Sequence, residues 1–250
     1  TYSPTHKQHA PAEIIVRGTL VRNLESPERA DALLAQLISQ GHEKVLPEGW
    51  DQRWIAAVHD AGYLEFLENA HARWRALPNA TPLIHPHAFA HYSSRRRPQS
   101  IQGQVGYYLA GGSSPVAEGT WTAAVSSAHA ALEAARLVLE GEREAYALCR
   151  PPGHHAYADF GGGFCYLNNI AIAANYMASK LGRVAILDID THHGNGTQSI
   201  FYRRADVHFV SVHGDPNVLF PFYAGYADER GEGEGEGHNL NLPLPLKSED

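Results

Sequence analysis

Cysteine is nearly absent from this 250-residue chain, with only Cys149 and Cys165 present. Both sit in apolar stretches, so no disulfide framework is implied and reduced thiols are expected. Positive charge is also scarce. Twenty Lys and Arg stand against 27 Asp and Glu, a net charge of -7, which argues against a nucleic-acid surface. The run SSRRRP at 93–98 is the local exception, read as a solvated loop or a subunit contact. No stretch is long and apolar enough to span a bilayer, and no basic-then-apolar leader is seen. The expectation is a soluble, cytoplasmic protein without nucleic-acid or membrane partners. No repeat of solenoid period occurs.

What is present is apolar material for one large domain or two small ones, at 44% hydrophobic and 19% charged residues. Histidine is abundant, with 16 residues, and is the usual proton carrier and metal ligand near neutral pH. His6, His9, His42 and His71 have no partner pattern and are expected at the surface.

Hydrophobic spacing predicts the organisation. A helix is expected from Ser26 and Pro27 to Gly41, with Leu33, Leu34, Leu37 and Ile38 on one face. One or two more are expected over 51–77, and a strong one over 120–142. The apolar run AYALC, 145–149, reads as a buried strand. The same grammar repeats with a helix over 165–182, a strand RVAILDID, a short helix around GTQSIFYRR and a strand VHFVSVH. Alternating helices and apolar strands argue for α/β, an open parallel sheet with helices on both faces. Residues 78–100 form a longer connection than compact domains usually need, read as a functional or interface loop. GEGEGEG, 231–237, is read as a flexible surface loop.

Two stretches concentrate the chemistry. ALCRPPGHHAYADFGGGFCYLNN and RVAILDIDTHHGNGTQ each hold a tandem His pair beside glycines, and the second puts two carboxylates before its pair. Both fall at strand ends, where parallel sheets bind ligands. Side chains alternate on a strand, so Asp188 and Asp190 share one side, joined by His192 if the extended run continues. A carboxylate and an imidazole there make half of a mononuclear site for zinc or iron(II). An isolated Asp-x-His is more often a hydrogen-bonded strand end, but the second cluster shifts that balance. Adjacent His154 and His155 reach one water only if the backbone turns, which Gly153 permits, and Asp188 and Asn195 are candidate partners fixing their tautomers.

RPPGHHA, GGFCYLNN, LDIDTHHGNGTQ and VSVHGDP, in that order, resemble the histone deacetylase superfamily, an arginase/deacetylase-like fold, and among its members the bacterial acetylpolyamine amidohydrolases. VHDAGYLEFLE, GQVGYY and EGTW extend the likeness over nearly the whole chain. The resemblance implies zinc, or iron(II) in the cell, bound by Asp190 and His192, with His154 and His155 flanking its water. Asp188 would pair with His154 and Asn195 with His155, and His193 would support them. Gly163, Phe164 and Phe220 would line a substrate tunnel. A structural potassium would use Asp188, Ser211 and main-chain oxygens of Asp190, His192 and Val212. The activity implied is hydrolysis of acetylated amines, acetylpolyamines or acetyl-lysine-like, to acetate and a free amine, by a homodimer that uses the 78–100 loop.

The family's third ligand, an Asp, and its oxyanion-binding Tyr are expected beyond residue 250, so the single catalytic domain, 1–250, is expected to be incomplete there. Asn195 stands where the eukaryotic members carry Asp, and a neutral acceptor stabilises an imidazolium less, so His155 should be the weaker base. The competing readings are an arginase-like hydrolase, whose dinuclear site wants more carboxylates, and a non-catalytic acyl-amine binding relative.

Overall fold

Helices begin where the sequence places capping side chains. In the computed structural model, which describes residues 1–90 and 96–248, Pro27 opens α1 (Pro27–Ser39). After the single turn α2 (Arg53–Ala56), the Asp60 carboxylate accepts from the Gly62 and Tyr63 amides and starts α3 (Ala61–Arg75). Ser100 caps α4 (Ile101–Tyr108). The central helix α5 (Thr120–Leu139) lies against α6 (Asn169–Leu181), which begins where Asn168 accepts from the Ala171 amide. These side chains satisfy amides that a helix leaves unpaired at its start.

α3 buries Tyr63, Phe66, Leu67 and Ala70, the i, i+3, i+4, i+7 stripe of an amphipathic helix. They join Leu132, Tyr166, Ile172 and Phe209 in the main core. Burying Phe66 or Leu132 contributes roughly 1.5–3 kcal/mol each.

The sheet order is β3 (Val184–Asp188), β4 (Val207–Gly214), β5 (Asn239–Leu244), all parallel. The short helix α7 (Asn195–Phe201) crosses from β3 to β4. The fold is α/β. A separate hairpin pairs β1 (Glu13–Val16) with β2 (Thr19–Arg22), an element that hydrophobic spacing did not foretell. No helix among the described residues is long and apolar enough to cross a membrane.

Several expectations need correction. Residues 145–149 do not form a buried strand: Leu148 is buried while Tyr146 is 57% exposed, and the Leu148 amide donates to the Thr1 carbonyl rather than to a strand. A cleft of about 720 Å³, lined by Tyr146, Leu148, Ile186, Leu187 and Asp190, separates this run from β3. Leu187 and Ile189 are accordingly 66% and 76% exposed. His6 and His9 are not at the surface; they are 3% and 2% exposed. Their carbonyls accept from the buried Arg150 guanidinium, and His9 Nδ1 meets Thr120 Oγ1 at 2.9 Å. His42 is exposed and His71 half-buried.

GEGEGEG is a folded turn rather than an open loop. Gly233–Gly235 forms one 3-10 turn, Gly235 is buried against the Tyr202 carbonyl, and Glu232 pairs with Arg203 at 2.9 Å. In the 78–100 connection, Ile84 bridges to Val116 and the Ala90 amide donates to the Gly106 carbonyl. Residues 91–95, and with them part of the SSRRRP run, lie outside the described residues. Both cysteines are free, Cys165 buried and Cys149 half-buried.

Candidate active site

β3 ends at Asp188, so strand alternation does not continue to Asp190 and His192. The chain bends instead. Asp188 Oδ1 accepts from the Asp190 amide at 3.1 Å, and Asp190 Oδ1 accepts from the His192 amide at 2.8 Å. Each Asp thus caps the backbone two residues on, as Asx turns do. The second turn folds His192 back over its partner, leaving Nδ1 3.3 Å from Asp190 Oδ1. Burial alone would raise the Asp190 pKa, but the hydrogen bonds from the His192 ring and amide outweigh it. They hold the carboxyl well below its usual range.

RPPGHHA turns at its histidines, with the Ala156 amide donating to the Gly153 carbonyl at 2.9 Å. The turn brings the rings of His154 and His155 together, with centroids 4.0 Å apart and planes inclined at 43°. Their partners differ. His154 Nδ1 lies 2.9 Å from Asp188 Oδ2, and its Nε2 lies 4.0 Å from Asp190 Oδ1. His155 Nδ1 lies 2.7 Å from Asn195 Oδ1. Burial lowers the His155 pKa to about 3, with the neighbouring His154 adding to the effect, so the ring is neutral at physiological pH. The Asn195 amide nitrogen donates to the hydroxyls of Tyr157 and Tyr223, at 3.3 and 3.2 Å.

Two glycines make room for these rings. Gly163 has φ +54°, and a Cβ there would overlap the His155 ring. Gly194 lies against Asp188 Oδ2 and His154, where a Cβ would collide with the carboxylate. Phe164, which follows Gly163, donates its amide to Ser114 Oγ at 2.9 Å. Phe220 presents its ring edge-on to His155 at 4.9 Å and reaches His192 at 6.2 Å. The structure therefore gathers His154, His155, Asp188, Asp190, His192, Asn195, Gly163 and Phe220 around one spot. Ser211 is the register partner of Asp188 on β4, with Val212 next to it; its hydroxyl meets His213 Nδ1 at 2.8 Å.

Asp190 and His192 suit a divalent ion in donor type, an anionic oxygen beside an imidazole nitrogen. Among the described residues, no group of three or more His, Cys, Asp and Glu side chains is arranged to hold one.

Beneath the site lies a polar cluster that motif reading passed over. Buried His193 meets Gln198 Oε1 through Nε2 at 3.0 Å, and Asn239 and Asn241 of β5 reach the same oxygen. Gln198 in turn donates to Glu229 at 2.7 Å. The signal was present in NLNLPL, where Asn239 and Asn241 put amides at alternate, inward positions of a strand.

The histone deacetylase domain family matches residues 23–250. Acetylpolyamine amidohydrolase 1 of Pseudomonas aeruginosa is 48% identical over 236 residues, which cover 92% of this chain and 68% of that protein. The acetylpolyamine amidohydrolase of Mycoplana ramosa is 43% identical over 233 residues, with 92% and 68% covered. The crystal structure of acetylpolyamine aminohydrolase from Burkholderia pseudomallei superposes with a TM-score of 0.93 at 47% identity, covering 98% of this chain and 71% of that one.

Proposed function

This chain belongs to the histone deacetylase family and is by that membership a deacetylase, and on this premise we propose that it hydrolyses small acetylated amines at a zinc site built on Asp190 and His192. Family membership implies a divalent metal cofactor in general. The observation that carries the reading is the pair of adjacent imidazoles with unlike partners, one on a carboxylate and one on a neutral amide, beside Asp190 and His192.

The ion, when bound, supplies a Lewis acid that polarises the amide carbonyl and acidifies a water. The remaining chemistry falls to side chains. His155 is neutral, its Nδ1 is occupied by Asn195, and its Nε2 is the free basic position, so it takes the proton of the attacking water. His154, held by the Asp188 carboxylate, is the ring on which positive charge is best stabilised while the amine leaves protonated. Phe220 and the Gly163–Phe164 turn exclude water from the rings and accept a slim acyl chain.

Acetylpolyamines and acetyl-lysine-like amines are the proposed substrates, in keeping with the names of the relatives. Cation selection should be weak. In the segment 100–119 Glu118 is the one acidic residue, and Gln102 and Ser113 are neutral. A potassium ion between Asp188 and Ser211, and a homodimer formed through the 78–100 loop, complete the proposal; light scattering of the intact protein tests the latter. The activity test is acetate release from N-acetylputrescine, N-acetylcadaverine and an uncharged acetylated alkylamine of equal length, before and after chelation and zinc readdition. Turnover that survives complete chelation would refute the metal-dependent reading. A hundredfold or greater preference for the charged substrates would refute weak cation selection.

A further inference from the structure

The loop 191–195 carries both His192 and Asn195, and it is anchored from below by a hydrogen-bond chain whose polarity the structure makes readable. Backbone groups pin its ends. The Gly225 amide, a donor only, reaches Glu229 Oε2 at 2.8 Å, so that oxygen is an acceptor. Asn239 Nδ2 faces the Glu229 carbonyl at 2.6 Å and Asn241 Nδ2 faces the Tyr226 carbonyl at 3.1 Å, so both nitrogens are donors. The same two nitrogens reach Gln198 Oε1 at 3.1 and 2.8 Å, and the other end of that amide donates to Glu229 Oε2 at 2.7 Å. Reversing the Gln198 amide would set its NH2 against two donors and its oxygen against a carboxylate. Its orientation is therefore fixed by chemistry, although oxygen and nitrogen are nearly the same size.

The consequence reaches His193, fully buried and adjacent to His192. Its Nε2 meets Gln198 Oε1 at 3.0 Å, so Nε2 must carry the hydrogen. Its buried Nδ1 is then a bare acceptor, and it has no hydrogen-bond partner among the described residues. The neighbouring His213 is set in the same way: Nε2 donates to the Gly225 carbonyl at 2.9 Å, and Nδ1 accepts from the Ser211 hydroxyl at 2.8 Å. The two rings pack with centroids 4.6 Å apart, which leaves His193 little freedom to rotate.

We propose that Glu229 and Gln198 are positioning residues of the site: through their amide–carboxylate bond they fix the His193 tautomer and thereby the loop that presents His192 and Asn195. This rests on the reading of the site as a metal-dependent deacetylase. Gln198 and Glu229 bond to His193, Gly225 and the β5 amides rather than to the rings at the reaction centre, so they act through His193. Partners that orient groups around a metal typically influence affinity or activity by about 10–100-fold. What the chain needs from residue 229 is an acceptor oxygen, not a charge. Glu229→Gln, which keeps an oxygen for the Gly225 amide and the Gln198 NH2, should behave nearly as wild type. Glu229→Leu should not.

The test is the ring 15N signature of His193 in the intact, metal-free protein, with zinc affinity and kcat measured beside it. Wild type and Glu229→Gln should show the hydrogen on Nε2. Glu229→Leu should show a changed or mixed tautomer, a zinc affinity about 10–100-fold weaker and a lower kcat with KM little moved. Should Glu229→Leu fail to fold, Gln198→Met removes the acceptor while leaving Glu229 on Gly225, and the same changes are expected. An unchanged His193 signature in the folded variant would overturn the proposal whatever the activity. So would a changed signature with zinc affinity and kcat intact, or a Glu229→Gln variant as impaired as Glu229→Leu. If wild type itself deacetylates nothing, the site reading fails while the tautomer result still decides the lock.

Discussion

His154 and His155 are neighbours in sequence with ring centroids 4.0 Å apart, yet they draw their hydrogen-bond partners from different parts of the second motif. His154 takes the carboxylate at the end of β3, and His155 takes the amide at the start of α7. Two chemically equal side chains thereby face unlike partners, one an anion and one a neutral amide.

Turnover should divide along that line. His155→Ala is expected to lower kcat by about 10²–10⁴-fold while bound metal stays stoichiometric. His154→Ala should also slow the reaction, without emptying the site. Single-turnover assays on an acetylated fluorogenic lysine, with metal content measured on the same samples, check this. Full activity in both variants would rule out the assigned proton transfers.

Metal occupancy should depend on the Asx-turned pair. His192→Ala removes the imidazole that folds over Asp190, and elemental analysis should find the site empty. Stoichiometric zinc in that variant would mean that the ligands lie elsewhere.

Gly163→Ala tests the packing of the base. The position has φ +54° and no room for a Cβ beside the His155 ring. Forcing alanine into that conformation should cost more than about 1 kcal/mol, and the displaced ring should slow turnover as well. Thermal unfolding and kcat together report it; a wild-type Tm with wild-type kcat would contradict the close approach.

Acid should weaken the fold through histidines remote from the metal. Burial lowers His9 to about 3, with Arg150 adding to it, and lowers His59 to about 4. The His59 ring must stay neutral at Nε2, which accepts from the Asn168 amide at 2.9 Å. The unfolded chain binds these protons below about 6.5, whereas the folded chain resists them until about 3–4. Stability is thus fully present above about 6.5 and is lost as pH falls toward 4, with each histidine contributing a slope of at most about 1.4 kcal/mol per pH unit. Urea midpoints at pH 7.5, 6 and 5 should decline in that order, and less steeply in His59→Gln. A flat profile would show that these rings are not held neutral.

Much of this was legible before any coordinates. Phe66 and Leu67 on the buried side of α3, the proline that opens α1 and the apolar runs of β3 and β4 are local signals, because helical and strand periods repeat over a few residues. The motifs likewise pointed to their chemistry, because two His clusters at strand ends, one of them with two carboxylates, outweigh the ordinary reading of a lone Asp-x-His. Strand alternation, however, misjudged how Asp190 meets His192, because a side-chain oxygen capturing a backbone amide bends the chain where periodicity would continue it.

What the sequence determined alone, then, is the set of local elements and the inventory of reacting groups. Only the tertiary structure decided which of sixteen histidines are buried, and His6 and His9 are among them because Arg150, over 140 residues away, draws in their carbonyls. Only it showed that 145–149 pairs with no strand among the described residues, although its composition suits one, since pairing depends on what lies alongside. Only it brought Glu229, Gln198 and Asn241 together under the site. Hydrogen bonds between residues tens of positions apart leave no period in the sequence, and their geometry exists only once the helices and the sheet have packed.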